Sequence, residues 1–161
     1  MTNAELCLQA QDLSVSLSLL PEGLACTGLF DLKTQTALFA GKASLFSLQL
    51  KTLSTGRTET LDSLSGWTVS VFENAAQLVF SRSELCVFLT ASLPGHSVIE
   101  WTVSYAVRSP DVSVQSLTYP QLHATVSSDD DCLFFPQGCG TVTRNLLGIK
   151  RERNDMYPSI N

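Results

Sequence analysis

The sequence predicts an all-β protein, built as an antiparallel β-sandwich. Three observations carry that expectation. Apolar residues recur at every second position in run after run, the period of a strand with one face buried and one wet. Turn-forming residues separate the runs. No stretch carries a convincing apolar stripe at helical spacing.

Taken in order, Leu13, Val15, Leu17 and Leu19 alternate with Ser14, Ser16 and Ser18, and Pro21-Glu22-Gly23 follows as a turn. Phe46, Leu48 and Leu50 alternate with Ser47 and Gln49 before the turn Ser54-Thr55-Gly56. Trp67, Val69 and Val71 alternate with Thr68 and Ser70, and Glu73-Asn74 closes that run. Leu85, Val87, Leu89, Ala91 and Leu93 form the next row, up to an expected turn at Pro94-Gly95. The longest row is Ile99, Trp101, Val103, Tyr105 and Val107, ended by Ser109-Pro110-Asp111. Val112 and Val114 then share a face, while Leu117 and Tyr119 have the opposite parity. One extra residue near Gln115-Ser116, a β-bulge, restores the register; two separate strands are the alternative. The count comes to roughly ten strands, the pattern of a sandwich or barrel. Residues 146–153 have room for a helical turn or two, weakened by Gly148.

The chain has 161 residues, the size of one domain or a domain with a tail. Hydrophobic residues make up 44% and charged residues 16%, which excludes a disordered polymer. Composition shifts near Ser127, so residues 1–126 read as the sandwich body and 127–161 as an extension. The net charge is −5, and the only basic cluster is Lys150-Arg151-Glu152-Arg153, short and interrupted. That balance argues against a nucleic-acid partner, which needs clustered Lys and Arg. Met1-Thr2-Asn3-Ala4-Glu5 lacks the basic start of a secretory leader, and no apolar run reaches the ~18 residues of a membrane span. A cytoplasmic protein without a membrane partner is expected.

The cysteines Cys7, Cys26, Cys86, Cys132 and Cys139 are odd in number and form no CxxC, so no metal site is expected. The spacing leaves a Cys132–Cys139 disulfide open, but reduced thiols in a reducing compartment are the expectation. Asp129-Asp130-Asp131 is contiguous, without the spaced ligands and turn glycine of a calcium loop. His96 and His123 share no ligand spacing and read as surface or turn residues. No nucleophile elbow is visible, and Gly138-Cys139-Gly140 is only a fragment of a phosphate loop. Glycosidic chemistry needs two carboxylates across a cleft. Glu73, Glu84, Glu100, Asp111 and Asp131 are available, but their spacing selects no pair. No catalytic residue and no cofactor are therefore assigned. Trp67, Trp101 and Tyr105 could stack on a sugar, but their phase with Val and Ile places them in the core.

The most unusual stretch is Leu133-Phe134-Phe135-Pro136-Gln137-Gly138-Cys139-Gly140-Thr141-Val142-Thr143-Arg144-Asn145. Pro and two glycines beside large apolar residues specify a fixed loop leaving a buried strand, where ligand contacts concentrate. Gln137, Arg144 and Asn145 are its candidate carbohydrate contacts, because amide and guanidinium groups hydrogen-bond hydroxyls well.

This stretch resembles the Tyr-Pro or Phe-Pro, Gly-x-Gly, Arg-Asn segment in the β-sandwich domain of large glycoside-hydrolase-like proteins, similar to the endo-α-N-acetylgalactosaminidase group. Gly28-Leu29-Phe30-Asp31-Leu32-Lys33-Thr34-Gln35-Thr36 resembles their opening hairpin, with Gln35 where a glycine is usual. Leu45-Phe46-Ser47-Leu48-Gln49-Leu50 resembles the strand that follows. The stretch from Ile99-Glu100-Trp101 through Val112-Ser113-Val114 to Tyr119-Pro120 resembles their paired strands, and Tyr157-Pro158-Ser159 their next segment.

The resemblance implies a galactose-mutarotase-like supersandwich, incomplete at its C-terminal end. It also implies a downstream (β/α)-barrel of the same polypeptide as partner, with the catalytic carboxylates on that barrel. The expected function is a non-catalytic accessory domain of a carbohydrate-active enzyme. A free-standing carbohydrate-binding module and a structural or interaction sandwich are the rivals. The first rival predicts exposed aromatics on a sheet face, the second an apolar face or edge left open.

Overall fold

A computed structural model describes residues 4–95, 98–121, 132–135 and 141–144. The strands are β1 (Ala4–Gln9), β2 (Leu13–Leu20), β3 (Gly23–Asp31), β4 (Thr36–Ser44), β5 (Ser47–Thr52), β6 (Thr58–Asp62), β7 (Thr68–Phe72), β8 (Gln77–Ser81), β9 (Leu85–Gly95), β10 (Val98–Val107), β11 (Val112–Thr118), β12 (Cys132–Phe135) and β13 (Thr141–Arg144). The protein is all-β, as the alternation predicts; one 3₁₀ turn, Glu73–Ala75, is the sole helical element among the described residues. No helix there is long and apolar enough to cross a membrane.

The chain divides into two compact units, Met1–Ala124 and Thr125–Asn161. The expected boundary at 126/127 lies outside the described residues. In the second unit, β12 and β13 form an antiparallel hairpin with Cys132 opposite Arg144.

The first unit is three antiparallel sheets in the orders β1-β2-β3-β4, β10-β9-β8-β7 and β11-β5-β6. The first two are meanders, each strand pairing with its sequence neighbour, as short turns dictate. The third adds β11 to the β5–β6 hairpin after the chain leaves β10. The three sheets bury one core that joins Leu17 and Leu24, Phe46 and Leu48, and Leu78, Phe80, Val87 and Leu89. At its centre Phe46, Trp67 and Phe80 meet edge to face, with ring centroids 4.9–6.2 Å apart. Such contacts add to burial because the positive ring edge meets the negative face. The Trp67 indole N–H donates to the Asp62 carbonyl at 2.6 Å.

The bulge expected near Gln115 is present. Val114 faces Leu50 and Ser116 faces Gln49, so Gln115 is the inserted residue. This returns Leu117 to the core side opposite Leu48.

Two expectations fail for identifiable reasons. Pro94-Gly95 is not a turn but the end of β9. Ser92 pairs with Glu100 and Gly95 with Val98, so Leu93 and Pro94 together oppose Ile99. The irregularity absorbs a residue that cannot donate to the ladder. The second failure is the row on β10. Trp101 is half-buried, but Tyr105 and Val107 are 47% and 37% exposed. Tyr105 is thus not a core residue, because β10 is the edge of its sheet and the core ends beneath it. Leu93, in phase with the buried part of β9, is exposed because it lies past Thr90, the last residue of β9 that pairs with β8.

Close approach rather than alternation fixes the junction of β3 with the 62–65 turn. Gly23 has φ +146°, and a Cβ there would lie 2.0 Å from the Ser63 carbonyl oxygen. Only glycine fits.

Candidate functional site, a polar trough at one end of the sandwich

A trough of about 320 Å³ opens where three strand connections converge. The end of β5 contributes Leu50 and Thr52, and β6 contributes Glu59. The β8–β9 turn contributes Arg82 and Glu84, and the link into β11 contributes Ser109, Asp111 and Val112.

Local bonding explains how each group is held. The Asp111 carboxylate accepts the Ser54 backbone N–H at 2.7 Å and the Ser54 hydroxyl at 2.6 Å. Its carbonyl accepts the Leu53 N–H at 2.8 Å, so the β5–β6 turn is pinned to the start of β11. The Arg82 N–H donates to the Leu85 carbonyl, and the Arg108 N–H to the Glu84 carbonyl. The tight β8–β9 turn is fixed from both sides. The Arg82 guanidinium lies 5.8 Å from the Trp67 ring centroid and 3.8 Å from Glu59 Oε1, and it donates to the Ser65 carbonyl at 3.4 Å. The aromatic face and the carboxylate orient the cation in the same place.

The Glu84 carboxyl is held below the usual carboxylate range by the Ser83 hydroxyl first, then its own backbone N–H, then the Arg82 charge. It is ionised at neutral pH and accepts hydrogen bonds; it is not poised as a general acid. A glycosidic acid needs the opposite shift. The trough therefore offers ionised carboxylate, guanidinium and hydroxyl groups, which can grip hydroxyls on a ligand.

No family model, curated protein or solved structure matches this chain.

Of the carboxylates singled out from sequence, the fold brings Glu84 and Asp111 together here. Glu59 and Arg82 join them without having been singled out. Their only sequence signals are a charge on the parity of buried Leu61 at the end of a strand and a place in a turn. Glu73 sits in the 3₁₀ turn and Glu100 on exposed β10, both away from the trough. Asp131, the rest of the Asp129-Asp130-Asp131 run, His96 and His123 lie outside the described residues. So do Gln137, Cys139, Asn145 and residues 146–161, while Arg144 is the last residue of β13. No cluster of His, Cys, Asp and Glu among the described residues is arranged to hold a metal ion.

The three aromatics separate. Trp67 is core at 4% exposure, and Tyr105 is largely solvent-facing. Trp101 lines a second hollow of about 240 Å³ with Leu13, Val15, Leu29, Ile99 and Pro120. Its ring meets Tyr119 edge to face at 6.4 Å. Burial raises the Tyr119 hydroxyl above its ordinary pKa, and that hydroxyl has no hydrogen-bond partner among the described residues. A third hollow, about 380 Å³, lies at the β3–β4 turn beside Asp31 and Gln35. Cys7, Cys26 and Cys86 are free thiols.

Proposed function

We propose that this chain is a non-catalytic β-sandwich module of a carbohydrate-active protein, contacting a hydroxyl-rich ligand through the polar trough. The observation that carries the reading is the chemistry of that trough. Glu59, Glu84 and Asp111 face the same space as Arg82, Thr52 and Ser109, and Glu84 is held ionised rather than protonated. Carboxylates and a guanidinium bind sugar hydroxyls by accepting and donating hydrogen bonds. With Asp111 committed to Ser54 and Glu84 kept in its basic form, the set suits binding better than acid catalysis. The reaction centre then belongs to a downstream barrel, as the resemblance of residues 133–145 implies. Gln137, Arg144 and Asn145 are further sugar contacts on the same reading.

The test is an amide NMR titration of the full chain with galactose, N-acetylgalactosamine and their short oligomers. The expected result is shifts at Thr52, Glu59, residues 82–84 and residues 109–112, abolished in Glu84→Gln. No shift at ~10 mM sugar, about tenfold above a dissociation constant of ~1 mM, overturns the proposal. So do shifts indifferent to Glu84→Gln.

A further inference from the structure

We propose that β10 is a self-association edge, where a second copy of this chain adds its own β10 antiparallel in a register centred on Ser104. The sheet β10-β9-β8-β7 ends on β10, whose far side carries no strand among the described residues. Among the described residues this edge carries few of the features that keep edges from pairing. It has ten residues, no proline, no glycine and no lysine, and its register irregularity is confined to the Val98/Glu100 end.

The direction of the free backbone groups follows from the ladder. The Arg108 N–H donates to the Glu84 carbonyl across the β9 side. In an antiparallel pair, hydrogen-bonding direction alternates residue by residue. Ala106, Ser104 and Thr102 therefore also face β9. The N–H and C=O groups of Trp101, Val103, Tyr105 and Val107 point to the open edge.

A second β10 must match those odd-numbered residues with its own odd-numbered residues. Charge then picks the register. Glu100 and Arg108 are both exposed, and neither takes part in an ion pair among the described residues. Centring the pair on Ser104 sets Glu100 opposite Arg108 of the second copy, twice over by the two-fold axis. The same register sets Trp101 opposite Val107 and Val103 opposite Tyr105 on the inner side. Tyr105 and Val107, open in a single copy, thereby gain apolar cross-strand partners. Registers that place Glu100 against Glu100 lose both features. A two-fold pairing uses β10 of each copy once, so the contact closes at a dimer.

The proposal is independent of sugar binding. It is tested by sedimentation velocity on the full chain across a concentration series up to ~100 μM, where an association of even ~10 μM affinity is mostly formed. A dimer is expected. Glu100→Arg and Arg108→Glu, which set like charges opposite each other twice, are each expected to weaken it about tenfold. The combined E100R/R108E exchange is expected to restore it. Val103→Pro removes an N–H directed at the open edge and is expected to give a monomer with an unchanged far-UV spectrum. A monomer throughout the series overturns the proposal. So does a dimer that the single charge changes leave intact, or that the exchange fails to rescue.

Discussion

Replacing Ser63 with alanine tests how the sandwich is locked together. The Ser63 side chain is fully buried and bonds in two directions. Its hydroxyl accepts the Leu45 N–H at 2.9 Å and donates to the Leu24 carbonyl at 2.7 Å. Its backbone adds bonds to Leu24 N–H and the Phe46 carbonyl. One small residue thus ties the start of β3 to the link between β4 and β5. Alanine keeps the backbone bonds and removes the other two. The Leu45 N–H then loses its side-chain partner in a place where Leu45 itself is only 4% exposed. An orphaned buried donor costs ~1–3 kcal/mol, and loss of the second bond ~0.5–1.5 kcal/mol. The expected destabilisation is about 2–4 kcal/mol, or about 7–14 °C in Tm for a domain of this size. Urea unfolding followed by far-UV circular dichroism reads it, with Ser92→Ala as the exposed control, expected to change stability by under ~0.5 kcal/mol. If Ser63→Ala matches that control, the hydroxyl is not the tie between these segments and the reasoning fails.

Gln35 adopts φ +55° in the β3–β4 turn, so Gln35→Gly is expected to stabilise by about 0.5–1 kcal/mol in the same unfolding assay, glycine's unfolded-state entropy offsetting part of the relieved strain. Asp31 accepts the Lys33 and Thr34 backbone N–H groups at 2.9 and 3.1 Å, and hydrogen bonds from the Thr34 backbone first, then its hydroxyl, then the Lys33 N–H hold its carboxyl below its ordinary range. A depressed folded pKa gives stability that is present above the unfolded value and lost as pH falls through the folded one. Stability is therefore expected to decline below about pH 4, less steeply in Asp31→Asn, as measured by urea midpoints from pH 2 to 6. Burial raises the Cys26 thiol, and Cys86 is also buried while Cys7 is exposed. Mass spectrometry after brief iodoacetamide treatment of the native protein is expected to find Cys7 alkylated and Cys26 and Cys86 intact.

Strand alternation made much of this fold legible. The serine-spaced leucines of β2, the Phe46 to Leu50 row and the bulge at Gln115 all follow from counting by two, because side-chain parity reports which face of a sheet is apolar. The trough was not legible, because it is assembled from turn residues and from strand ends where the apolar rows run out. Arg82 and Glu84 share one connection and Asp111 lies in another far along the chain, while Glu59 is a charged residue on the same parity as buried Leu61, at the end of that row. No spacing rule links such positions; only the sheet order β11-β5-β6 and the turn between β8 and β9 bring them together.

The row on β10 marks the deeper limit of that method. Ile99 through Val107 has the same periodicity as Leu85 through Ala91, and parity alone assigns both to the core. Leu85, Val87 and Leu89 are covered because β9 has a strand on each side, whereas Tyr105 and Val107 lie on β10, which among the described residues has a strand on one side. Alternation says which side of a strand is apolar, while the neighbouring strands decide whether anything covers it. A fully apolar row on an edge is thus a sequence feature that one copy of this unit leaves unsatisfied. Trp101 meets Tyr119 edge to face, whereas Tyr105 and Val107 are left exposed by the described residues. At Tyr105 and Val107 exposed apolar surface coincides with N–H and C=O groups directed at the open edge. Hydrophobic burial and backbone pairing therefore favour the same partner geometry, a further strand laid along β10.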